Sequence, residues 1–428
     1  MSEKPGFPNT LDFSKKKNAV KSHFRQQVLY PLTGSTVNPN ETPIISIPCG
    51  KYGTYLDPTN LYIQCTIINT DSTAATAFVL DGSAYSLIDR ITCTSSGSPL
   101  TDVQYAAPLT QAILDMQVGV ARGSGMSVAY GTVVDNQYNT NRGGVSIAQN
   151  GTVNVCMPLM LTAIDATFNS KLIPVGAIAD LQVQFFMASV GNSVQTASTT
   201  ANWKLSNFSL VADFIELDAG AQAEIDKLSN GKIQFSGEVW RGYQFSLNSG
   251  SSADTIVVPV KCQSAKSIYS IYRNTAVINN TAACSTVARI NPFVSAATFY
   301  VNIGSESMPQ IPLKNSAQFY IEMIKSQHGL YSPQAYQGQF NNTNWNLNST
   351  TATDAATAVG SFMVGLDLES FANKSEVCYS GVGITGGTVL NIVQTYGPSA
   401  LAAAATQNVY MHCDAVVSIE SGVMTLVY

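Results

Sequence analysis

The sequence predicts an all-β chain folded as two β-sandwiches in tandem, with short helices and long surface loops. Three observations point there. Apolar and polar residues alternate with a period of two in many short runs, as half-buried strands require. Clusters of Gly, Pro, Asn and Ser punctuate those runs. The two halves also echo each other: Val211–Gly220 and Cys413–Gly422 both read as strands ending in an acidic residue and a glycine, close to half the chain apart. A length of 428 residues leaves room for two cores of similar size.

Residues 1–35 read as a separate arm, the densest basic segment of the chain, with Lys15, Lys16, Lys17, Lys21, His23 and Arg25. Two readings stay open for it: a flexible solvated tail, or an inner-face arm touching a neighbouring subunit, membrane headgroups or DNA. The first sandwich is expected over 36–220. Lys51–Asn60 is a turn-rich lead-in with Asp57-Pro58 as punctuation. Leu61, Ile63, Cys65 and Ile67 then alternate with Tyr62, Gln64, Thr66 and Ile68. Phe78–Leu80 leads into the turn Asp81-Gly82-Ser83, Ser86–Cys93 is a strand, and Gly97-Ser98-Pro99 turns the chain again. Val103, Ala106, Ala107, Leu109, Ile113 and Leu114 recur at helical spacing and predict a helix at about 102–116. The Gly-, Ser- and Asn-rich stretch 117–151 is expected to be a long loop, and Gly191–Thr200 a shorter one before the strand Phe208–Leu217. Ala219–Leu228, headed by Asp218 and followed by Asn230-Gly231, predicts a boundary helix.

The second sandwich is expected over 221–428. Strands resume at Val239–Phe245, and 328–360 is a second long polar loop. In the last strand Val409, Met411, Cys413, Ala415, Val417 and Ile419 share one face, with Tyr410, His412, Asp414 and Ser418 on the other.

Charged residues make up only 11% of the chain, against about 25% in ordinary globular proteins. Ser, Thr, Asn, Gln and Ala replace them. Such a surface suits extensive protein–protein contact, because Lys and Glu are depleted from interface cores; an extracellular β-rich domain has a similar composition. A net charge of −5 argues against wrapping nucleic acid. The eight cysteines are spread out with no C-x-x-C pair, and most sit in apolar strand patterns, so reduced core thiols are expected. Met1–Asn18 has no apolar signal core, and no run of about 18 apolar residues is present to span a membrane. Synthesis in the cytosol without secretion is therefore expected, and the seven Asn-x-Ser/Thr sequons are read as chance.

No catalytic, metal or cofactor-binding residue is expected. The three histidines, His23, His328 and His412, are not at ligand spacing. Gly381–Gly386 fits G-x-G-x-x-G but lies among strands, where Gly-rich turns account for it. Asp367 and Glu369 share a strand face at i, i+2, a spacing open to paired-carboxylate chemistry; two solvated strand carboxylates, or one capping a subunit contact, are the expected reading.

The order of elements resembles that of the double jelly-roll major capsid proteins of double-stranded DNA viruses, closest to those of polinton-like viruses and virophages. Tyr55–Pro58, Leu80–Ala84, Ser86–Ile91 and Tyr105–Asp115 carry the resemblance in the first half. Lys171–Pro174 with Leu181–Phe185, Lys266–Arg273, Val301–Gly304 with Pro309–Pro312, Phe362–Glu369 and Cys413–Gly422 extend it to the end of the chain. No single motif is specific; the order is. The resemblance implies eight strands in each sandwich and a structural rather than enzymatic role, as the major capsid protein of an icosahedral shell. It further implies homotrimeric pseudo-hexagonal capsomers whose partners are neighbouring capsomers, penton and minor capsid proteins. Lys15, Lys16, Lys17, Lys21 and Arg25 would contact an inner layer, membrane or packaged DNA, and the protein would reside in the virion. Competing readings are a carbohydrate-binding or adhesive β-sandwich with Trp203, Trp240 and Trp345 as stacking platforms, and a minor capsid or spike component.

Overall fold

The computed structural model describes residues 21–73, 76–117, 127–132, 144–165, 171–229, 232–283, 286, 288–293, 297–327, 345–346, 360–370, 379–397 and 400–428. Sixteen principal strands fall into two sets of eight.

The first set comprises β1 (Ser22–Leu29), β2 (Ile44–Ile47), β3 (Thr54–Asn69), β4 (Ile88–Ser95), β5 (Ser98–Gln104), β6 (Thr152–Pro158), β7 (Leu181–Met187) and β8 (Trp203–Leu217). One sheet runs β1-β8-β3-β6 and the facing one β2-β7-β4-β5. Helix α1 (Ala106–Gln117) follows the fifth strand. After helix α2 (Ala219–Ser229) the second set begins: β9 (Ile233–Leu247), β10 (Ala253–Val258), β11 (Cys262–Asn274), β12 (Thr298–Ile303), β13 (Glu306–Leu313), β14 (Val364–Asp367), β15 (Leu390–Thr395) and β16 (Ala405–Glu420). Its sheets run β9-β16-β11-β14 and β10-β15-β12-β13. Counted within its own set, each sandwich therefore has the orders 1-8-3-6 and 2-7-4-5. In each, the fifth strand feeds a twelve-residue helix, which in the second sandwich is α3 (Ser316–Gln327).

Local chemistry explains these elements. The β4–β5 hairpin closes through Ser96 and Gly97, both at positive φ (49° and 78°). That two-residue turn matches the twist of the strands it joins, and glycine enters it without steric cost. In β16 every residue of the expected apolar face is at most 2% exposed. Helix α3 buries Phe319, Met323 and Ile324, three side chains on one helical stripe, each worth roughly 2 kcal/mol or more against exposure.

The two cores use different chemistry. In the first, Phe185 meets Phe208 edge-on at 5.5 Å amid aliphatic side chains, and the Trp203 indole donates to Ser193 Oγ at 2.8 Å. In the second, Phe293 stacks on Phe319 at 4.8 Å and meets Phe299 edge-on at 5.7 Å. Beside this cluster lies a buried polar network. Tyr272 donates to Gln394 Oε1 (2.8 Å), and the Gln394 amide donates to Gln407 Oε1 (2.9 Å) and the Tyr396 hydroxyl (2.7 Å). The Gln407 amide donates to Tyr272 (3.0 Å), and Tyr396 donates to Asp254 at 2.8 Å.

Several elements differ from sequence expectation. The helix begins at Ala106, not near 102, because Thr101–Val103 pair with Ile91–Cys93. The Gly191–Thr200 loop holds a helical turn at Val190–Ser193 and a short strand at Val194–Gln195. Most of the 117–151 and 328–360 loops, and Asn230-Gly231, lie outside the described residues. Within the arm expected over 1–35, Ser22–Leu29 pairs residue by residue with Leu217–Leu210. The reason it reads as an arm is that β1 is a sheet edge with its outward positions in solvent, so it carries no apolar alternation of its own.

Candidate functional site

The two sandwiches meet edge to edge. The outer edge of β5, fifth strand of the first, lies parallel to the outer edge of β9, first strand of the second, at Arg241 and Asp102. This one bridge fuses a sheet from each sandwich into a single twelve-stranded sheet. Arg90 clamps Asp102 with two hydrogen bonds of 2.7 and 2.6 Å, and the Arg241 guanidinium lies over the Tyr428 ring at 4.2 Å. Residue 242 is glycine for a steric reason: a Cβ there would sit 2.4 Å from the Gln104 carbonyl oxygen. Next to it, the Tyr410 hydroxyl donates to the Tyr105 carbonyl at 2.7 Å.

A buried ion pair locks the junction. Arg289 of the second sandwich bonds Asp115 of α1, and both side chains are 1% exposed. Asp115 also accepts from the Gln111 amide (3.1 Å), whose oxygen accepts from Ser83 (2.9 Å). The Thr286 amide donates to Asp81, the Asn279 amide to Asn192 Oδ1 (2.6 Å), and the Thr196 amide to the Thr281 carbonyl (2.6 Å). Arg289, Asp115, Asp81, Thr286 and Thr196 are buried and each takes a partner from the other sandwich, so the array fixes one relative orientation. A cleft of about 110 Å³ remains between the sandwiches, lined by Asp89, Tyr105, Gln244, Arg273 and Thr286 among others. Burial pushes the Asp89 carboxyl up against the opposing pull of Arg273 and Arg90, and burial lowers Arg273.

A second charged cluster lies on the sheet face of β9, β11 and β16 opposite their core. Lys266 Nζ is 2.5 Å from Glu238, 3.5 Å from Glu369 and 3.8 Å from Asp414. His412 stacks on Trp240 at 4.3 Å and its Nε2 is 2.8 Å from Glu238. Burial pushes Glu238 up, but His412 and Lys266 together outweigh it and hold the carboxyl down to about 2. Glu369 corrects the expectation of a solvated carboxylate: its side chain is 7% exposed and accepts from Ser380 at 2.7 Å. The sequence reading missed this cluster, although Lys266, set in β11 with Arg273 as that strand's one other charge, is the signal that marks it. Among the described residues, no group of three or more His, Cys, Asp or Glu could hold a metal ion.

Of the basic residues singled out in the arm, Lys15, Lys16 and Lys17 lie outside the described residues. Lys21 precedes β1, and its carbonyl accepts from the Asp218 amide at 3.1 Å. Arg25 turns to its own subunit: it lies 3.5 Å from Glu216 and 5.9 Å from the centre of the Phe214 ring. Gly381 precedes and Gly383 lies within a short strand, Val382–Ile384, and a Cβ at Gly381 would sit 2.1 Å from the Ala265 carbonyl. Trp203, Trp240 and Trp345 are 0, 9 and 4% exposed. None of them offers a face to a sugar ring.

No family model matches the sequence, and no curated protein matches it. Solved structures do. The PBCV-1 virus capsid subunit superposes with a TM-score of 0.60 at 12% identity, covering 97% of this chain and 98% of that one. The fold is the double jelly roll. The Faustovirus major capsid protein shares it at TM-score 0.57 and 10% identity, over 95% of this chain and 92% of its own. The mavirus major capsid protein does so at 0.52 and 9%, over 100% and 96%. The matched spans take in both jelly rolls in each of the three.

Proposed function

We propose that this protein is the major capsid protein of an icosahedral double-stranded DNA virus, resident in the virion shell and without catalytic activity. The observation that carries the reading is the pair of jelly rolls with identical strand orders, locked side by side through a buried junction. Two equivalent sandwiches per chain, taken three times about an axis, give six similar corners, so a homotrimer tiles as a pseudo-hexagon. Neighbouring capsomers, penton and minor capsid proteins are its partners in that shell. The buried tryptophans and the neutralised carboxylates count against the carbohydrate-binding alternative. Negative-stain microscopy of the purified protein tests the proposal: near-hexagonal particles are expected, and particles with no such outline would overturn it.

Within this reading, the basic residues before β1 anchor the capsomer to an inner layer. Lys15, Lys16, Lys17 and Lys21 are the contacts, with Arg25 the weakest of the five because Glu216 already engages it. Replacing all five by Gln should leave folding and trimerisation intact while lowering the yield of closed particles. A parent particle anchored by charge should also loosen as salt rises, since exposed charges are screened beyond about 8 Å at physiological ionic strength.

A further inference from the structure

The charged cluster around Lys266 has the parts of an acyl-transfer site. In the β11–β16 pairing Ala265 faces Cys413 and Ser267 faces His412, so Lys266 is the extra residue of a β-bulge, a device that re-aims a side chain. Its carbonyl accepts from the Leu368 amide at 2.8 Å, which brings Glu369 alongside. Lys266 Nζ then lies 3.5 Å from Glu369 and 3.8 Å from Asp414 Oδ1, and all three side chains are at most 11% exposed. We propose that Lys266 and Asp414 join through an isopeptide bond, formed by the folded chain itself with Glu369 as proton carrier. This is one covalent event per chain, not turnover of a substrate, and it is independent of the capsomer reading.

The surroundings of Asp414 single it out as the acyl partner. Its second oxygen, Oδ2, accepts from Ser264 Oγ at 2.6 Å and from the Ser380 amide at 3.1 Å. Both serines are buried, and the Ser264 hydroxyl is fixed in turn because it accepts from the Gly381 amide at 2.8 Å. Two fixed donors on one carboxyl oxygen, with an amine on the side of the other, form an oxyanion hole for a tetrahedral intermediate. The Ser380 hydroxyl donates to Glu369 Oε1 at 2.7 Å, so one residue holds both the acyl group and the proton carrier. Glu238 is nearer to Lys266 but serves as its counter-ion. Burial pushes Glu238 up, yet His412 and Lys266 keep it ionised, and a carboxylate anion is a poor electrophile.

The step balances without an oxidant or co-reactant. Burial pulls Lys266 down, but the three carboxylates outweigh it, so the resting amine is an ammonium. Glu369 takes one of its protons and passes it to Asp414 Oδ1, leaving a neutral amine facing a neutral acid. The Nζ lone pair attacks Cγ, the C–N bond forms, and negative charge gathers on Oδ2. Glu369 then carries a second proton from nitrogen to Oδ1, the Cγ–Oδ1 bond breaks, and one water leaves. The amide nitrogen keeps the third proton, and Glu369 ends as it began. Because the resting cluster is ion-paired, the reaction is slow, a maturation step that follows folding.

Intact-mass measurement of the purified full-length chain, denatured after prolonged warming at neutral pH, tests the proposal. The chain should be lighter than its sequence mass by one water, and peptide mapping should find the segment holding Lys266 joined to the segment holding Asp414. Glu369→Gln and Lys266→Arg should keep their full mass, with circular dichroism showing an unchanged fold. Asp414→Asn should lose ammonia in place of water: Ser264 and Ser380 hold its amide oxygen, which turns its nitrogen towards Lys266. A parent chain that keeps its full mass would overturn the proposal, as would a bond mapped to Glu238 or loss of water from any of the three variants. The parent measurement needs no substitution, so a variant that misfolds leaves the test intact.

Discussion

The two jelly rolls share every strand order and differ in almost everything used to achieve it. The first has a largely aliphatic core; the second has an aromatic cluster around Phe293 and a buried Gln394–Gln407–Tyr272 network. The first opens with an eight-residue edge strand, β1, half in solvent, whereas its counterpart β9 has fifteen residues and is covered by the first sandwich. Topology is thus set by turns, strand lengths and the alternation of apolar positions, and many core chemistries satisfy it. Chemistry that is particular to one position, such as Arg289 with Asp115, is spent on the relation between the rolls.

The largest effect should come from breaking that relation. Asp115→Ala leaves Arg289 buried without its carboxylate and should cost about 3–5 kcal/mol in denaturant unfolding. Asp115→Leu with Arg289→Met should recover most of it, because two apolar groups leave no stranded charge. A smaller effect is expected at the neighbouring contact. Gly242→Ala forces a methyl against the Gln104 carbonyl and should cost about 1–3 kcal/mol, whereas Gly250→Ala, where a Cβ meets nothing within 4 Å, is a control for backbone strain alone. The smallest effect should distinguish the two rolls by pH. Glu238 of the second roll is held down from 4.5 to about 2 by His412 and Lys266 against its burial. A carboxyl lowered on folding stabilises above its unfolded value and loses that contribution as pH falls towards the folded one. Thermal stability should therefore drop between pH 4.5 and about 2, with Trp240 fluorescence reporting the change, and Glu238→Gln should flatten that slope.

Much of this architecture was legible in the residues. The alternation in Leu61–Ile68 and Val409–Ile419, the turn at Gly97, and the helix on Ala219–Leu228 all follow from local spacing. β1 was not legible as a strand, because an edge is defined by its partner β8 and not by its own pattern. The onset of α1 was misplaced for a similar reason: Val103 fits a helical stripe, yet its pairing with Ile91 decides its conformation. The junction was harder still. Asp115 and Arg289 are 174 residues apart, and only the strand order brings them together.

In the proposed capsomer each chain supplies two equivalent corners to a closed ring of three. Light scattering coupled to size-exclusion chromatography, at micromolar concentration, measures this directly. A single species at three times the 45.5 kDa subunit mass is expected, whereas a stable monomer of 45.5 kDa under the same conditions would overturn the proposed capsomer.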